Sequence, residues 1–288
     1  MQGGEKLSQL LRWGRTRLAR LGLEEAPLEA EVLLMDALNV SRDYLFTHGD
    51  EPVGAKATRE YCAHLERRGR REPLAYITGH KEFFGLCFHV DRRVLIPRPE
   101  TELLVEECLR LLQLSGAHTP VLADVGTGSG AIAVALAASR SEVMVYATDN
   151  SQEALQVASF NAARQSVQER ITFLQGSLLA PLPEPVDMVL ANLPYVPTDI
   201  LATLQPEIAD YEPLAALDGG RDGLAVIRGL LSQAPTRLRP GGRVLLEIGA
   251  DQAVGVMQAA SERMPGAGVR VVKDLAGLDR VVVIELAA

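Results

Sequence analysis

The chain has 288 residues, a length that suits one or two domains. Hydrophobic residues make up 47% and charged residues 23%, so the chain can bury a core that offsets its ordering entropy, which excludes a disordered protein. The formal net charge of -8 argues against a protein whose main work is coating a phosphate backbone.

The first part of the chain reads as helical. Leu7, Leu10, Leu11, Leu18 and Leu21 recur at helical spacing, with Arg12, Arg15 and Arg17 between them. Pro27 suits the first turn of a second helix that runs through residues 30–38. A third helix is expected over residues 55–70, ending near Gly69. Basic and acidic residues balance up to His80, so the acidity of the chain lies in the remainder. Arg67, Arg68, Arg70 and Arg71 read either as a solvated helix end, where cations suit the dipole, or as part of a docking face for an acidic or nucleic-acid-bearing partner.

Residues 82–99 change texture. Phe83 to Val90 and Val94 to Ile96 are β-like runs separated by Asp91-Arg92-Arg93, which predicts a hairpin linker. Pro97 and Pro99 end any strand, and residues 100–113 read as a helix. Short apolar runs then alternate with helical segments. Strands are expected over residues 121–125, 142–148, 171–175, 186–191, 243–248, 269–273 and 280–285. Helices are expected over 131–138, 152–164, 223–238 and 252–263. The alternation predicts a parallel sheet with helices on both faces. The connection 274–279 is too short for a parallel crossover, so the last two strands should be antiparallel.

Cys62, Cys87 and Cys108 are odd in number and widely spaced, which reads as reduced thiols. His48, His64, His80, His89 and His118 show no zinc-ligand spacing, so no metal is expected. Met1-Gln2-Gly3-Gly4-Glu5-Lys6 leads into an Arg-rich stretch without the apolar core of a signal peptide. No apolar run reaches the roughly 20 residues that span a bilayer. A soluble, cytoplasmic protein is the expectation.

Two stretches carry chemistry. In the first, Val121-Leu122-Ala123-Asp124-Val125 is a buried strand that runs into Gly126-Thr127-Gly128-Ser129-Gly130. Alternate glycines let the backbone turn sharply and let a ligand lie against it. The spacing is G-x-G-x-G and not the G-x-G-x-x-G of dinucleotide folds. It suits S-adenosylmethionine, which has no phosphate; Asp124 can hold the ammonium of its methionine part. Asp149, about 20 residues past the glycines, can accept both hydrogen bonds of a ribose diol. Read otherwise, Asp149 only caps the helix that starts near Ser151.

In the second stretch, the fourth strand ends in Asn192-Leu193-Pro194-Tyr195. Its carboxyl end should face the ligand crevice of an open sheet. The Asn192 side-chain oxygen and the Leu193 backbone carbonyl offer two acceptors, and Tyr195 offers a flat ring. An amide or aromatic amine nitrogen is a poor nucleophile because its lone pair is delocalised. Two acceptors aimed at its two hydrogens favour tetrahedral geometry and stabilise the charge that develops there. The ring can stack on a planar substrate group. Pro194 biases Leu193 toward extended geometry.

On these residues the chain resembles the bacterial release-factor glutamine methyltransferases, the PrmC/HemK family, over essentially its full length. The matching stretches are Pro73 to Gly79, Glu82-Phe83-Phe84-Gly85, Leu95-Ile96-Pro97-Arg98-Pro99-Glu100-Thr101-Glu102, the Gly126 to Gly130 loop, Asn192 to Tyr195, Tyr211-Glu212-Pro213, and Gly241-Gly242 leading into Leu245-Leu246-Glu247-Ile248-Gly249.

The resemblance implies an α/β fold. A helical substrate-docking domain spans residues 1–80 and a β-hairpin linker spans 81–99. A Rossmann-like, seven-stranded methyltransferase domain spans 100–288. It implies methyl transfer from S-adenosylmethionine to the side-chain amide nitrogen of the glutamine in the Gly-Gly-Gln loop of peptide chain release factors. The release factor would be the protein partner of a monomer, with neither membrane nor nucleic acid bound. The alternative reading of the same motif is methylation of an exocyclic amine on a nucleic-acid base.

Asn192, Leu193, Pro194 and Tyr195 are the catalytic set on this resemblance. Arg98 joins Asp124, Gly126, Thr127, Gly128, Ser129, Gly130, Asp149 and Asn192 as a cofactor residue. The chain departs from the family at two places. Leu193 stands where relatives carry proline, but the atom required is its backbone carbonyl. Ser177-Leu178 stands where relatives carry an acid and an aromatic residue, so Ser177 is expected to bond the adenine amine and Leu178 to pack on the ring.

Overall fold

A computed structural model describes residues 4–115 and 119–287. The readings of Met1 to Gly3 and of His118 therefore lie outside the described residues. The chain divides into two units, Met1–Gly79 with Gln205–Tyr211, and His80–Leu204 with Glu212–Ala288.

The first unit is helical: α1 (Leu7–Arg20), α2 (Ala26–Leu38), α3 (Arg42–Thr47), α4 (Ala55–Gly69) and α5 (Leu74–Thr78). Leu10, Leu18, Leu33, Leu34, Tyr61 and Leu65 form its core. Tyr61 crosses α1 at Gly14, where an added Cβ would stand 1.8 Å from the phenol oxygen, so only glycine fits. The phenol donates to the Ala30 carbonyl at 3.2 Å. Pro27 sits in the first turn of α2, and Asn39 ends that helix with a φ of 53°. The sequence reading missed α3, a helix of 6 residues capped by the Ser41 side chain, and α5. Both are too short for periodicity to reveal.

The second unit begins with a hairpin, β1 (His80–Phe83) and β2 (Leu86–His89). The remaining elements are α6 (Glu102–Ser115), β3 (Val121–Val125), α7 (Ala131–Ser139), β4 (Met144–Asp149), α8 (Gln152–Arg164), β5 (Ile171–Gln175) and β6 (Val186–Ala191). After these come α9 (Pro206–Ala209), which belongs to the first unit, then α10 (Ala225–Arg237), β7 (Leu238–Glu247), α11 (Ala253–Arg263), β8 (Gly268–Lys273) and β9 (Asp279–Glu285).

The seven-stranded sheet has the order β5-β4-β3-β6-β7-β9-β8. Its first five strands run parallel. β9 is antiparallel to both β7 and β8, as the short final connection requires. The strand order reverses between β3 and β6, so their carboxyl ends open the crevice in which such sheets bind ligands.

The hairpin departs from expectation. Its turn is Phe84-Gly85, inside the run read as one strand, and Val94 to Ile96 form no strand. Both turn residues take left-handed φ values, 51° and 72°. Such a two-residue turn matches the twist of the flanking strands. Glu102 Oε1 accepts the Phe84 N–H at 2.8 Å and braces the turn. Asp91 accepts from the backbone and guanidinium of Arg93, which holds the chain in a tight bend before Val94.

The arginine run is also not a solvated helix end. Arg67 makes a two-pronged bond to Glu72, at 2.9 Å for each contact. Arg68 is 5% exposed, grips Glu29 with two 2.9 Å bonds and meets Glu207 at 2.9 Å. Arg71 takes the other oxygen of Glu207 at 2.8 Å. Tyr211 donates its phenol to the Arg70 carbonyl at 2.6 Å. The run clamps the returning segment Gln205–Tyr211 within the helical unit. That segment lies far along the chain, which is why the clamp was not legible in the sequence.

Candidate active site

β3 delivers Asp124 and Val125 to the crevice, and the glycine loop follows. Gly126, Gly128 and Gly130 have φ values of 72°, 54° and 81°, which L side chains rarely adopt. Space adds a second reason at two of them. A Cβ on Gly126 would meet Leu193 Cδ2 at 3.3 Å, and one on Gly130 would meet the Ala158 Cα at 3.1 Å.

Two carboxylates hold the loop. Asp149 Oδ2 accepts the Gly128 N–H at 3.0 Å and Oδ1 accepts the Ser151 N–H at 2.9 Å. Ser151 itself caps α8 by accepting from Ala154. Asp124 is fully buried. Its Oδ2 accepts from Thr127 Oγ1 at 2.6 Å and from the Ala133 N–H at 3.1 Å. Its Oδ1 has no partner, and burial pushes the carboxyl up to about 6. Asn161 ties the loop from behind: Nδ2 donates to the carbonyls of Ser129 and His89, and Oδ1 accepts the His89 N–H at 2.7 Å.

These elements border a cleft of about 210 Å³. Gly126, Gly128, Asp149 and Leu178 line it together with Asn192, Leu193 and Pro194. Leu178 holds a φ of 53°, and its carbonyl accepts from Thr148 Oγ1 at 2.9 Å. Asn192 Nδ2 donates to Thr101 Oγ1 at 3.0 Å, which turns the amide oxygen away from Thr101. Leu193 is 4% exposed and packs into the core beneath the sheet ends.

Several expected residues stand back from this lining. Arg98 pairs with the buried Glu212 at 2.5 Å, so its charge is answered within the protein. Burial pushes the Glu212 carboxyl up, and Arg98 opposes the shift. Thr127, Ser129 and Gly130 shape the loop from behind, and Asp124 supports it from the core. Ser177 does not line the cleft, whereas its neighbour Leu178 does. Tyr195 does not line it either. Its hydroxyl lies 3.5 Å from Glu247 Oε1 and its carbonyl accepts from Gln252 at 2.9 Å. Burial, then the nearby Glu247, pushes the phenol up to about 12.

Thr101 and Glu247 carry no assigned role in the sequence reading. Thr101 was only part of a matching stretch. Glu247 is 1% exposed at the end of β7, with Oε2 unpartnered, and burial pushes its carboxyl up to about 7. The signal for Glu247 was present: a single acid within Leu245-Leu246-Glu247-Ile248 is a charge in a core strand. Arg93, Val94 and Leu95, together with Pro213, Ala215 and Ala216, also border the cleft, although the sequence reading gave none of them a role in the site.

The PrmC N-terminal domain matches residues 9–79, and a methyltransferase domain matches residues 116–264. A release factor glutamine methyltransferase of Geobacter sulfurreducens is 42% identical over 277 residues, covering 96% of this chain and 95% of that protein. The chain belongs to the release factor glutamine methyltransferase family.

Another member, from Moorella thermoacetica, is 44% identical over 275 residues, covering 95% of this chain and 96% of its own. Among solved structures, the catalytic domain of hMettl16 aligns with a TM-score of 0.57 at 15% identity, over 77% of this chain and 83% of that one. A methyltransferase from Pyrococcus furiosus aligns with a TM-score of 0.53 at 19% identity, over 77% and 99%. These likenesses concern the fold of the methyltransferase family.

Proposed function

We propose that this chain transfers a methyl group from S-adenosylmethionine to the side-chain amide nitrogen of the glutamine in the Gly-Gly-Gln motif of peptide chain release factors. The observation that carries the reading is the Asn192 amide at the cleft, whose Nδ2 donates to Thr101 Oγ1 at 3.0 Å and so leaves Oδ1 as the end available to a substrate. Proteins named for this reaction in Geobacter sulfurreducens and Moorella thermoacetica support it over nearly the whole chain.

The cleft fits the cofactor. Asp149 uses two of its roughly four lone-pair sites within the protein, so acceptors remain for a ribose diol. Gly126 and Gly128 leave bare backbone beside it, and Leu178 offers an apolar wall for a base. The orphaned Asp124 Oδ1 supplies negative charge behind the loop. S-adenosylmethionine supplies an electrophilic sulfonium methyl when bound.

This chain's residues do the rest. Asn192 Oδ1 and the Leu193 carbonyl take the two hydrogens of the substrate amide and favour the geometry in which its lone pair can attack. Pro194 biases Leu193, the residue before it, toward extended geometry. Tyr195 braces the motif through Glu247 rather than presenting its ring to the cleft. Leu193, in place of proline, keeps the required carbonyl, and its side chain packs against Gly126. The helical unit docks the release factor, and residues 81–99 join it to the methyltransferase domain. The protein acts as a cytoplasmic monomer; no described helix is long and apolar enough to cross a membrane.

The test is to incubate the chain with methyl-labelled S-adenosylmethionine and a release factor, the same factor with its loop glutamine changed to alanine, or duplex DNA. Label on the intact factor alone is expected. Label on the altered factor or on DNA would overturn the reading.

A further inference from the structure

Asp149 is the one carboxylate among the described residues that border the cleft, and Arg93 is the one cation. The order of the strand ends places the parts of the cofactor along that cleft. Asn192 stands at the end of β6, the glycine loop follows β3, and Asp149, the proposed diol acceptor, ends β4. A nucleoside held at Asp149 with its sulfur toward Asn192 directs its base the other way, to the end of β5. Gly176 and Leu178 border the cleft there. With Asp149 engaged by the ribose, no lining carboxylate is left for the edge of the base, and its two faces become the surfaces to hold.

Those faces meet different sides of the sheet. Parallel crossovers are right-handed. The steps outward from β3 to β4 to β5 therefore carry α7 and α8 on one side, and the step from β6 to β7, which runs the opposite way, carries α10 on the other. Leu178 belongs to the α10 side, since a Cβ on Gly229 of α10 would stand 3.1 Å from Leu178 Cδ1. Arg93 belongs to the α8 side. The His89 backbone, which ends β2, is bonded in both directions to Asn161 of α8, and its ring meets Phe160 edge-on at 5.4 Å. Four residues on, Asp91 pins the Arg93 guanidinium, with Nε 2.9 Å from Oδ1 and Nη2 2.6 Å from Oδ2. A two-pronged pair fixes the plane of the group and leaves its flat faces uncovered. Asp91, and beyond it Glu153 in the first turn of α8, hold that group in its charged form.

We propose that Arg93 is a cofactor-binding residue whose guanidinium lies flat against the adenine of S-adenosylmethionine, opposite Leu178. A planar cation is attracted to the electron-rich face of an aromatic ring. Pairing with Asp91 beforehand leaves the side chain little rotational freedom to lose on binding. Leu178 supplies apolar contact to the other face. Its φ of 53° is held by Thr148 Oγ1, which donates to its carbonyl, and by Gln233 Oε1, which accepts the Leu179 N–H at 3.0 Å. Backbone held in that region against its preference is a feature of ligand sites.

The inference rests on the reading of the cleft as an S-adenosylmethionine site, and not on which group accepts the methyl. The full chain and its Arg93→Ala and Arg93→Lys variants are titrated in a calorimeter with S-adenosylhomocysteine and with methylthioadenosine, which keeps the base and ribose but lacks the carboxylate and ammonium. Arg93→Ala should weaken both ligands on the order of 10-fold and to the same degree. Arg93→Lys, which can keep the ion pair with Asp91 but has no flat face, should stay at least about 3-fold weak toward both. Unchanged affinity in Arg93→Ala, or native affinity in Arg93→Lys, would overturn the stack. So would a loss confined to S-adenosylhomocysteine, which would put Arg93 on the carboxylate of the ligand instead. Binding of neither ligand by the unaltered chain would refute the cofactor reading itself, and the stack with it.

Discussion

The Asp149 carboxylate accepts the Gly128 N–H at 3.0 Å, so the end of β4 props the glycine loop that follows β3. The same carboxylate lines the cleft. Asp149→Ala removes both the prop and the proposed diol acceptor. Hydrogen bonds to charged groups contribute about 1.5–3 kcal/mol. Affinity for S-adenosylmethionine, measured by calorimetry, is therefore expected to fall on the order of 10- to 100-fold. An unchanged Kd would remove Asp149 from the cofactor site.

Asn192 and Leu193 are adjacent but offer different atoms, and substitution should separate them. Asn192→Ala deletes the side-chain acceptor and should cut kcat on the order of 10²-fold or more. Leu193→Ala keeps the backbone carbonyl and should leave kcat within several-fold. It vacates a site that is 4% exposed, so it should cost about 2–4 kcal/mol in urea unfolding. A kcat that collapses equally in both variants contradicts the backbone role of Leu193.

Asp124 gives stability a pH dependence. Burial raises its carboxyl from the ordinary 3.8 to about 6, so the folded state holds the proton more tightly than the unfolded chain. The stability this contributes is complete below about 3.8 and is lost as pH rises through about 6. Two pH units correspond to about 3 kcal/mol at most. Asp124→Asn should flatten the fall across that window, because its amide oxygen can still accept from Thr127 and Ala133. Thermal unfolding followed across the window checks this; an unaltered slope would contradict it.

Arg68 stands between Glu29 and Glu207 with 5% of its surface exposed. Arg68→Ala leaves Glu29 buried without its cation, while Glu207 keeps Arg71. Removing one partner of a buried pair typically costs about 3–5 kcal/mol. Denaturant unfolding of the full chain should show a loss of that order, and a loss below about 1 kcal/mol would mean that the clamp is held by its other contacts.

How far the sequence could be read followed the range of the interactions involved. The strands of the sheet carry their apolar runs within a few residues, so their existence and the antiparallel final pair were legible from local pattern. The cleft residues Gly126, Gly128, Asp149 and Asn192 were legible because each sits at a strand end, where a backbone turn or an exposed polar group stands out against an apolar run. The hairpin was misplaced because Phe84 takes a left-handed φ that its residue type does not advertise. α7 posed no such difficulty, since its apolar residues follow the loop directly.

The sequence by itself determined the alternation of elements, the glycine loop and the Asn192 to Tyr195 motif, since these rest on spacing between near neighbours. Only the tertiary structure decided which groups meet across the chain. Thr101 reaches Asn192 over 91 positions, and Tyr195 faces Glu247 over 52. Arg98 is spent on Glu212 rather than on the cleft, and Arg68 closes on Glu207. The physical reason is that a charge or an amide declares its chemistry in the sequence but not its partner. The partner is fixed only when burial removes water and leaves each polar group one neighbour to answer it.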